Sequence, residues 1–346
     1  MSMKAVVLEA KHEVRVRDFP EPAMDDDRVK IAVCYCGICG TDFVKYEGKN
    51  GSRKLVMPVP LGHEVSGIVV ETGKNVRQFK KGDRVVADPN ASCGKCYFCR
   101  RGLPQFCENA FGAVKGMAEY ICPPERNVYH IPDSLDMREA SLAEPLSCCI
   151  HGMDLLDVHM GDTVAIVGFG MIGSIMISLC KLASAAEIVV IETDETKREK
   201  ALKDGAALFV NPAKENPSEA VAKAGIGNVN RVMECVGLPV TVATALEVAG
   251  KGSTVVLFGV GDPEKPISFN PYDVWQKELN IRMSYLNPYT TERAVRLLNS
   301  HAVNAKELIS RIITPEEVPE EMKSRKLSRL GKVLVKMREA TDGILC

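Results

Sequence analysis

Three groups of residues have side chains whose chemistry can be read from type and spacing alone. At Cys36-Gly-Ile-Cys39-Gly-Thr41-Asp42 the chain leaves an extended run through glycines, setting a thiol and a hydroxyl close together; at Gly62-His63-Glu64 a histidine and a carboxylate stand side by side at the mouth of another extended run. One soft and one borderline ligand with an acid beside them suit zinc. Further on, Cys93, Cys96 and Cys99 recur at intervals of three and Cys107 follows eight residues later. Such a set can close a tetrahedron of thiolates around one zinc ion, with no position left for a substrate, whereas pairwise disulfides at this spacing would be strained. The third group is Gly168-Phe-Gly170-Met171-Ile172-Gly173, which follows the apolar run Thr163-Val-Ala-Ile-Val. It reads as strand, tight turn and helix: the first glycine permits the turn, the second lets a pyrophosphate approach bare backbone, and the third lets the helix pack on the strand. Glu192 ends a second apolar run about twenty residues on, where a carboxylate accepts hydrogen bonds from an adenosine ribose. The expected cofactor is NAD, since that carboxylate repels the 2′-phosphate of NADP; Lys197 and Arg198 lie close enough in sequence to soften the discrimination.

With these motifs the sequence resembles the zinc-dependent medium-chain alcohol dehydrogenase family. That family's signature is Gly-His-Glu, two residues, glycine, five residues, glycine, and it is matched in full by Gly62-His63-Glu64, Gly67 and Gly73. The resemblance implies an α/β fold in two parts: a β-rich GroES-like catalytic domain over 1–148 and 286–346, and an NAD-binding Rossmann domain with a doubly wound parallel sheet over 149–285. It also implies two zinc ions per chain. Cys39 and His63 would hold the catalytic one, with Glu64 or Glu144 in the remaining position, and Cys93, Cys96, Cys99 and Cys107 would hold the structural one.

The segment Ala143-Glu144-Pro145-Leu146 looks like the polyol dehydrogenase branch, where a glutamate stands at the metal in place of a cysteine. The implied reaction moves a hydride from a secondary alcohol of a polyol or polyol phosphate to NAD, giving a ketose, with Thr41 taking the substrate proton. An L-threonine or simple alcohol dehydrogenase is the runner-up, and a non-catalytic zinc-binding descendant of the fold the reading from another class. Two departures bear on the substrate. Val44 stands where relatives often carry a proton-passing histidine, and Ser284-Tyr-Leu-Asn287 replaces the Arg-Tyr pair of sorbitol dehydrogenases, looking more like the Ser-x-x-Asn of galactitol-phosphate dehydrogenases. Asn287 is therefore a candidate substrate contact. Lys45, six residues beyond Cys39 in a run that also holds Lys49, Arg53 and Lys54, is the candidate for an anionic substrate end.

The elements needed to position these groups are legible as alternating or apolar runs. Short strands around Lys4–Leu8, Val14–Arg17 and Val29–Val33 suit a β-rich first part, and from 163 onward strands alternate with helical stretches as in a parallel sheet. The strand tips at Val236-Gly237 and Gly259-Val260 are where a nicotinamide half would lie, because ligands bind beyond the carboxyl ends of such strands. A formal charge of −1 on 346 residues, with both signs scattered, argues against nucleic-acid or membrane partners and for a small-molecule polyol. Thirteen cysteines, with C-x-x-C clusters at metal-ligand spacing among them, point to a reducing compartment. The expectation is a cytoplasmic homodimer or homotetramer.

Overall fold

The computed structural model describes residues 1–338. It divides into two compact units, Met1–Ser147 with the return from Asn287, and Cys148–Leu286.

In the first unit the strand Val29–Gly37 is the centre. It is buried at eight of nine positions, as its nearly unbroken apolar sequence requires of a strand covered on both faces. The sheet around it runs Val128–His130, Arg84–Ala87, Glu64–Thr72, Val29–Gly37, Lys332–Lys336, Ile309–Ile313, with Tyr120–Ile121 pairing with the central strand off this path. Two consequences follow for the chemistry. Glu64 opens its strand directly opposite Gly37, and the returning strand sets Leu334 opposite the same Gly37. The carboxylate of Glu64 thus lies over a residue that must lack a side chain, since a Cβ on Gly37 would stand 1.9 Å from Glu64 Oε2. A separate three-stranded sheet joins Glu13–Pro20, Ser2–Ala10 and Val59–Pro60.

The second unit is a six-stranded, wholly parallel sheet in the order Leu208–Val210, Glu187–Ile191, Thr163–Val167, Arg231–Glu234, Thr254–Leu257, Asn280–Met283. The order reverses beside Thr163–Val167, which makes its carboxyl end the switch point where such sheets bind ligands. Ala165, Val167, Val189, Val232 and Val255 fill the layer beneath the helices. No helix among the described residues is long and apolar enough to cross a membrane.

Candidate active site and metal centres

Cys39 caps the helix Gly40–Tyr46 in an extended conformation, with φ −112° and ψ 157°. What locks it there is Asp42, a carboxylate with no exposed surface. Asp42 Oδ2 accepts the Cys39 N–H at 3.0 Å, Oδ1 accepts the Gly62 N–H at 3.0 Å, and His63 Nδ1 lies 3.9 Å from Oδ1. One side chain therefore ties the cysteine turn to the strand entry carrying the histidine. The ligand atoms of Cys39, His63 and Glu64 fall within 4.8 Å of one another; Glu144, in the first turn of the helix Ala143–Leu156, falls outside that spacing. Thr41 Oγ1 is 3.9 Å from Cys39 Sγ. Burial first, and then the Glu64 carboxylate, push the Cys39 thiol up to about 11, so a bound cation is what would keep it a thiolate at neutral pH. A thiol, an imidazole and a carboxylate gathered at this spacing fit zinc.

Both candidate carboxylates are engaged, and differently. Glu64 is clamped by Lys332, whose Nζ sits 2.6 Å from Oε2 and 2.8 Å from Oε1 and also donates to the Ile38 carbonyl at 2.9 Å. Burial raises the Glu144 carboxyl to about 8; His63 opposes that rise, while Glu64, Cys39 and Asp88 add to it. The backbone of Glu144 is held by a ladder of neutral groups. Its carbonyl accepts from Ser147 Oγ at 2.6 Å, Ser147 Oγ accepts from Asn287 Nδ2 at 2.8 Å, and Asn287 Oδ1 accepts from Asn90 Nδ2 at 2.7 Å. The Asn90 N–H in turn donates to Asp88 Oδ1 at 2.8 Å.

Asn287 has a structural part in this ladder. It is 1% exposed and both ends of its amide are engaged in the ladder, where it supports the helix of Glu144. Lys45 lies half-buried in the last turn of Gly40–Tyr46, and Val44 beside it is exposed.

The four clustered cysteines also meet, with their sulfurs within 4.8 Å of one another. All four are free thiols. The Lys95 and Cys96 backbone N–H groups pull the Cys93 thiol down to about 6, and those of Cys99 and Glu108 lower Cys96, while burial pushes Cys107 up to about 11. N–H groups aimed at sulfur are what a thiolate-bound metal needs around it. The set fits a closed zinc site.

In the second unit Gly168, Gly170, Met171, Ile172, Gly173, Glu192 and Val236 line one cavity of about 370 Å³, together with Phe169 and Cys235. The glycines are explicable one by one. Gly168 has φ 95° and Val236 Cγ2 where its Cβ would be, at 2.4 Å; a Cβ on Gly173 would strike the Gly168 carbonyl oxygen at 2.2 Å. Glu192 Oε2 accepts the Phe169 N–H at 2.9 Å and faces Lys197 Nζ at 3.0 Å. Burial raises its carboxyl, but the Asp194 N–H, Lys197 and Phe169 outweigh that and hold it below the usual range. Gly259 and Val260 press on the Val236-Gly237 turn from behind: a Cβ on Gly259 would meet Gly237 N at 2.1 Å, and one on Gly237 would meet the Val260 oxygen at 2.6 Å.

Comparison with known proteins decides the family. Residues 25–133 match the alcohol dehydrogenase GroES-like domain, and residues 172–300 match the zinc-binding dehydrogenase domain. D-arabinitol dehydrogenase 1 of Uromyces fabae is 30% identical over 342 residues, covering 96% of this chain and 97% of that protein. The chain belongs to the zinc-binding medium-chain dehydrogenase family. A zinc-binding dehydrogenase of Sinorhizobium meliloti 1021, solved with NADP, superimposes with a TM-score of 0.90 at 36% identity, over 97% of this chain and 99% of that one. Galactitol-1-phosphate dehydrogenase of Escherichia coli superimposes with a TM-score of 0.87 at 26% identity, over 96% and 100%. This dehydrogenase is thus an oxidoreductase whose cofactors are zinc and a nicotinamide dinucleotide.

Several residues that shape the dehydrogenase's site escape its motifs. Asp42, Asp88 and Lys332 are single charged residues in ordinary positions, and only burial distinguishes them: Lys332 is 4% exposed and Asp88 8%. One signal was available in the sequence. A lysine opening the apolar run Val333-Leu-Val has no solvated face on a central strand, so it demands a buried acid as partner.

Proposed function

We propose that this dehydrogenase transfers a hydride between a secondary alcohol of a polyol or polyol phosphate and NAD, giving a ketose, and that each chain holds two zinc ions. The observation that carries the polyol reading is Glu144: a buried carboxylate in the field of Cys39 and His63, on a helix end braced by Ser147 and Asn287. The names of relatives support it, since both the arabinitol and the galactitol phosphate enzymes act on polyols.

Cys39 and His63 would hold the catalytic zinc, with a carboxylate as third ligand. Glu64 and Glu144 are both candidates for that position: Glu64 stands at ligand spacing with Cys39 and His63 and is paired with Lys332, and Glu144 is buried in the field of the same two residues. Zinc bound there supplies a Lewis acid that lowers the pKa of a substrate hydroxyl. The hydroxyl of Thr41, beside the Cys39 sulfur, takes the substrate proton. With Val44 at the position of the usual histidine, that proton leaves by water or past Lys45. Lys45 offers an ammonium to a phosphate at the substrate's far end. In the other unit Glu192 selects the free ribose of NAD.

A screen of polyols, their phosphates, L-threonine and simple alcohols with NAD, run alongside a zinc count, tests this. Oxidation of a polyol or its phosphate to a ketose with two zinc ions per chain is the expected result. Turnover confined to L-threonine or simple alcohols would overturn the polyol reading, and one zinc with no turnover would leave a binding protein. Lys45→Ala should raise KM for a polyol phosphate about tenfold while leaving the unphosphorylated polyol nearly unchanged.

A further inference from the structure

The wall of the dinucleotide cavity that faces Gly168 is a single short turn, Cys235-Val236-Gly237. Its first residue is tied to the neighbouring strand, the Cys235 N–H donating to the Val167 carbonyl at 2.9 Å, and the two residues after it are held by one oxygen atom. Glu234 ends the strand Arg231–Glu234 with no exposed surface, and its Oε1 accepts the Val236 N–H at 2.8 Å, the Gly237 N–H at 2.8 Å and the Thr241 hydroxyl at 2.7 Å. Thr241 closes the loop by accepting the Leu238 N–H at 3.1 Å at the start of the helix Pro239–Val248. The other carboxylate oxygen, Oε2, is buried and has no hydrogen-bond partner among the described residues. An unsatisfied oxygen inside a protein is costly, so this carboxylate is not the cheapest way to fill the space.

The turn has little room to settle elsewhere. Val236 fills the space a Cβ on Gly168 would need, Gly237 stands at φ 84°, and Gly259 packs against the Gly237 amide with no room for a side chain. A small shift of the turn therefore moves the cavity wall itself. Three donors converging on one acceptor set where it stands.

We propose that Glu234 is a positioning residue for the dinucleotide: without touching the cofactor, its carboxylate fixes the Cys235-Val236-Gly237 turn and so governs affinity for the nicotinamide half. The inference rests on the nicotinamide-cofactor reading above. Without the carboxylate, the Val236 and Gly237 N–H groups and the Thr241 hydroxyl lose their common acceptor, and a small shift of the turn displaces the cavity wall at Val236.

The test uses zinc-replete enzyme with Glu234→Ala, Glu234→Gln and Thr241→Val, and reads NADH affinity by fluorescence titration, AMP affinity by calorimetry, and thermal stability. AMP reports the adenosine half, which Glu192 serves. Glu234→Ala should raise Kd for NADH about tenfold or more while Kd for AMP stays within about twofold. Glu234→Gln keeps an accepting oxygen and should hold NADH affinity within about threefold even as its buried amide nitrogen lowers Tm. Thr241→Val removes one donor of three; it should fall between them, and it carries the test if Glu234→Ala does not fold. Unchanged NADH affinity, equal weakening of NADH and AMP, or affinity that simply follows Tm across the variants would overturn the proposal. A parent enzyme that bound AMP but not NADH would defeat the cofactor reading, and this inference with it.

Discussion

Lys332 Nζ lies 2.6 Å from Glu64 Oε2 inside the sheet of the catalytic unit, with the two side chains 3% and 1% exposed. Burial disfavours the ammonium, but Glu64 and Cys39 more than offset that and raise its pKa above the ordinary value. Removing one partner of such a pair costs far more than removing both, because the survivor is left as an uncompensated charge. Lys332→Met should therefore destabilise the protein by about 3 to 5 kcal/mol in urea denaturation, and adding Glu64→Gln should recover most of the loss. If single and double variants lose equal stability, Glu64 does not depend on the lysine.

The two metal clusters make separable predictions. Cys39→Ser should abolish turnover and one zinc while the chain stays folded, because the thiolate lobe of Cys93, Cys96, Cys99 and Cys107 is untouched. Cys96→Ser should cost stability or assembly first. Metal analysis with circular dichroism on both variants checks the division, and a stable Cys96→Ser protein that has lost only catalysis would contradict it.

Against its burial, the Asp194 N–H and then the ion pair with Lys197 hold the Glu192 carboxyl below its usual range, so it is charged where we expect a ribose to bind. We expect NAD to be preferred over NADP by at least about tenfold in kcat/KM, equivalent to about 1.4 kcal/mol. Glu192→Ala should shrink that ratio by freeing Lys197 for a 2′-phosphate. Equal kcat/KM for the two cofactors in the parent would refute it.

Asp88 predicts a pH dependence. Burial lifts its carboxyl to about 6, with the Asn90 N–H, Asn287 and Thr291 partly opposing that rise. Between its ordinary value of 3.8 and about 6 the unfolded chain has released this proton while the folded chain still holds it, so the contribution of Asp88 to stability falls as pH rises through that window. Across it the loss approaches about 3 kcal/mol, and above it the loss is constant. Asp88→Asn should remove this fall. Urea midpoints measured from about pH 4 to about 7 would show it as a difference in slope between parent and variant, and parallel curves would refute it.

What the sequence determined alone is what depends on short spacing. Cys93, Cys96 and Cys99 can reach one ion because only two residues separate each from the next, and Gly168, Gly170 and Gly173 shape a turn through their own backbones. Strand and helix periods around 163–192 are likewise local. What only the tertiary structure decided is the state of the charges around those motifs. Lys332 reaches Glu64 across 268 positions because the returning strand pairs with Val29–Gly37, and Asn287 reaches Asn90 across 197 because the chain comes back to its first unit. Such pairings follow from sheet order and burial: the lysine before Val333-Leu-Val calls for a buried acid without saying which one, and a single asparagine gives no key at all. For that reason the sequence shows neither the strut that Asn287 makes beneath Glu144 nor the lysine that faces Glu64, and Glu234 carried no mark at all until its strand end met the dinucleotide turn.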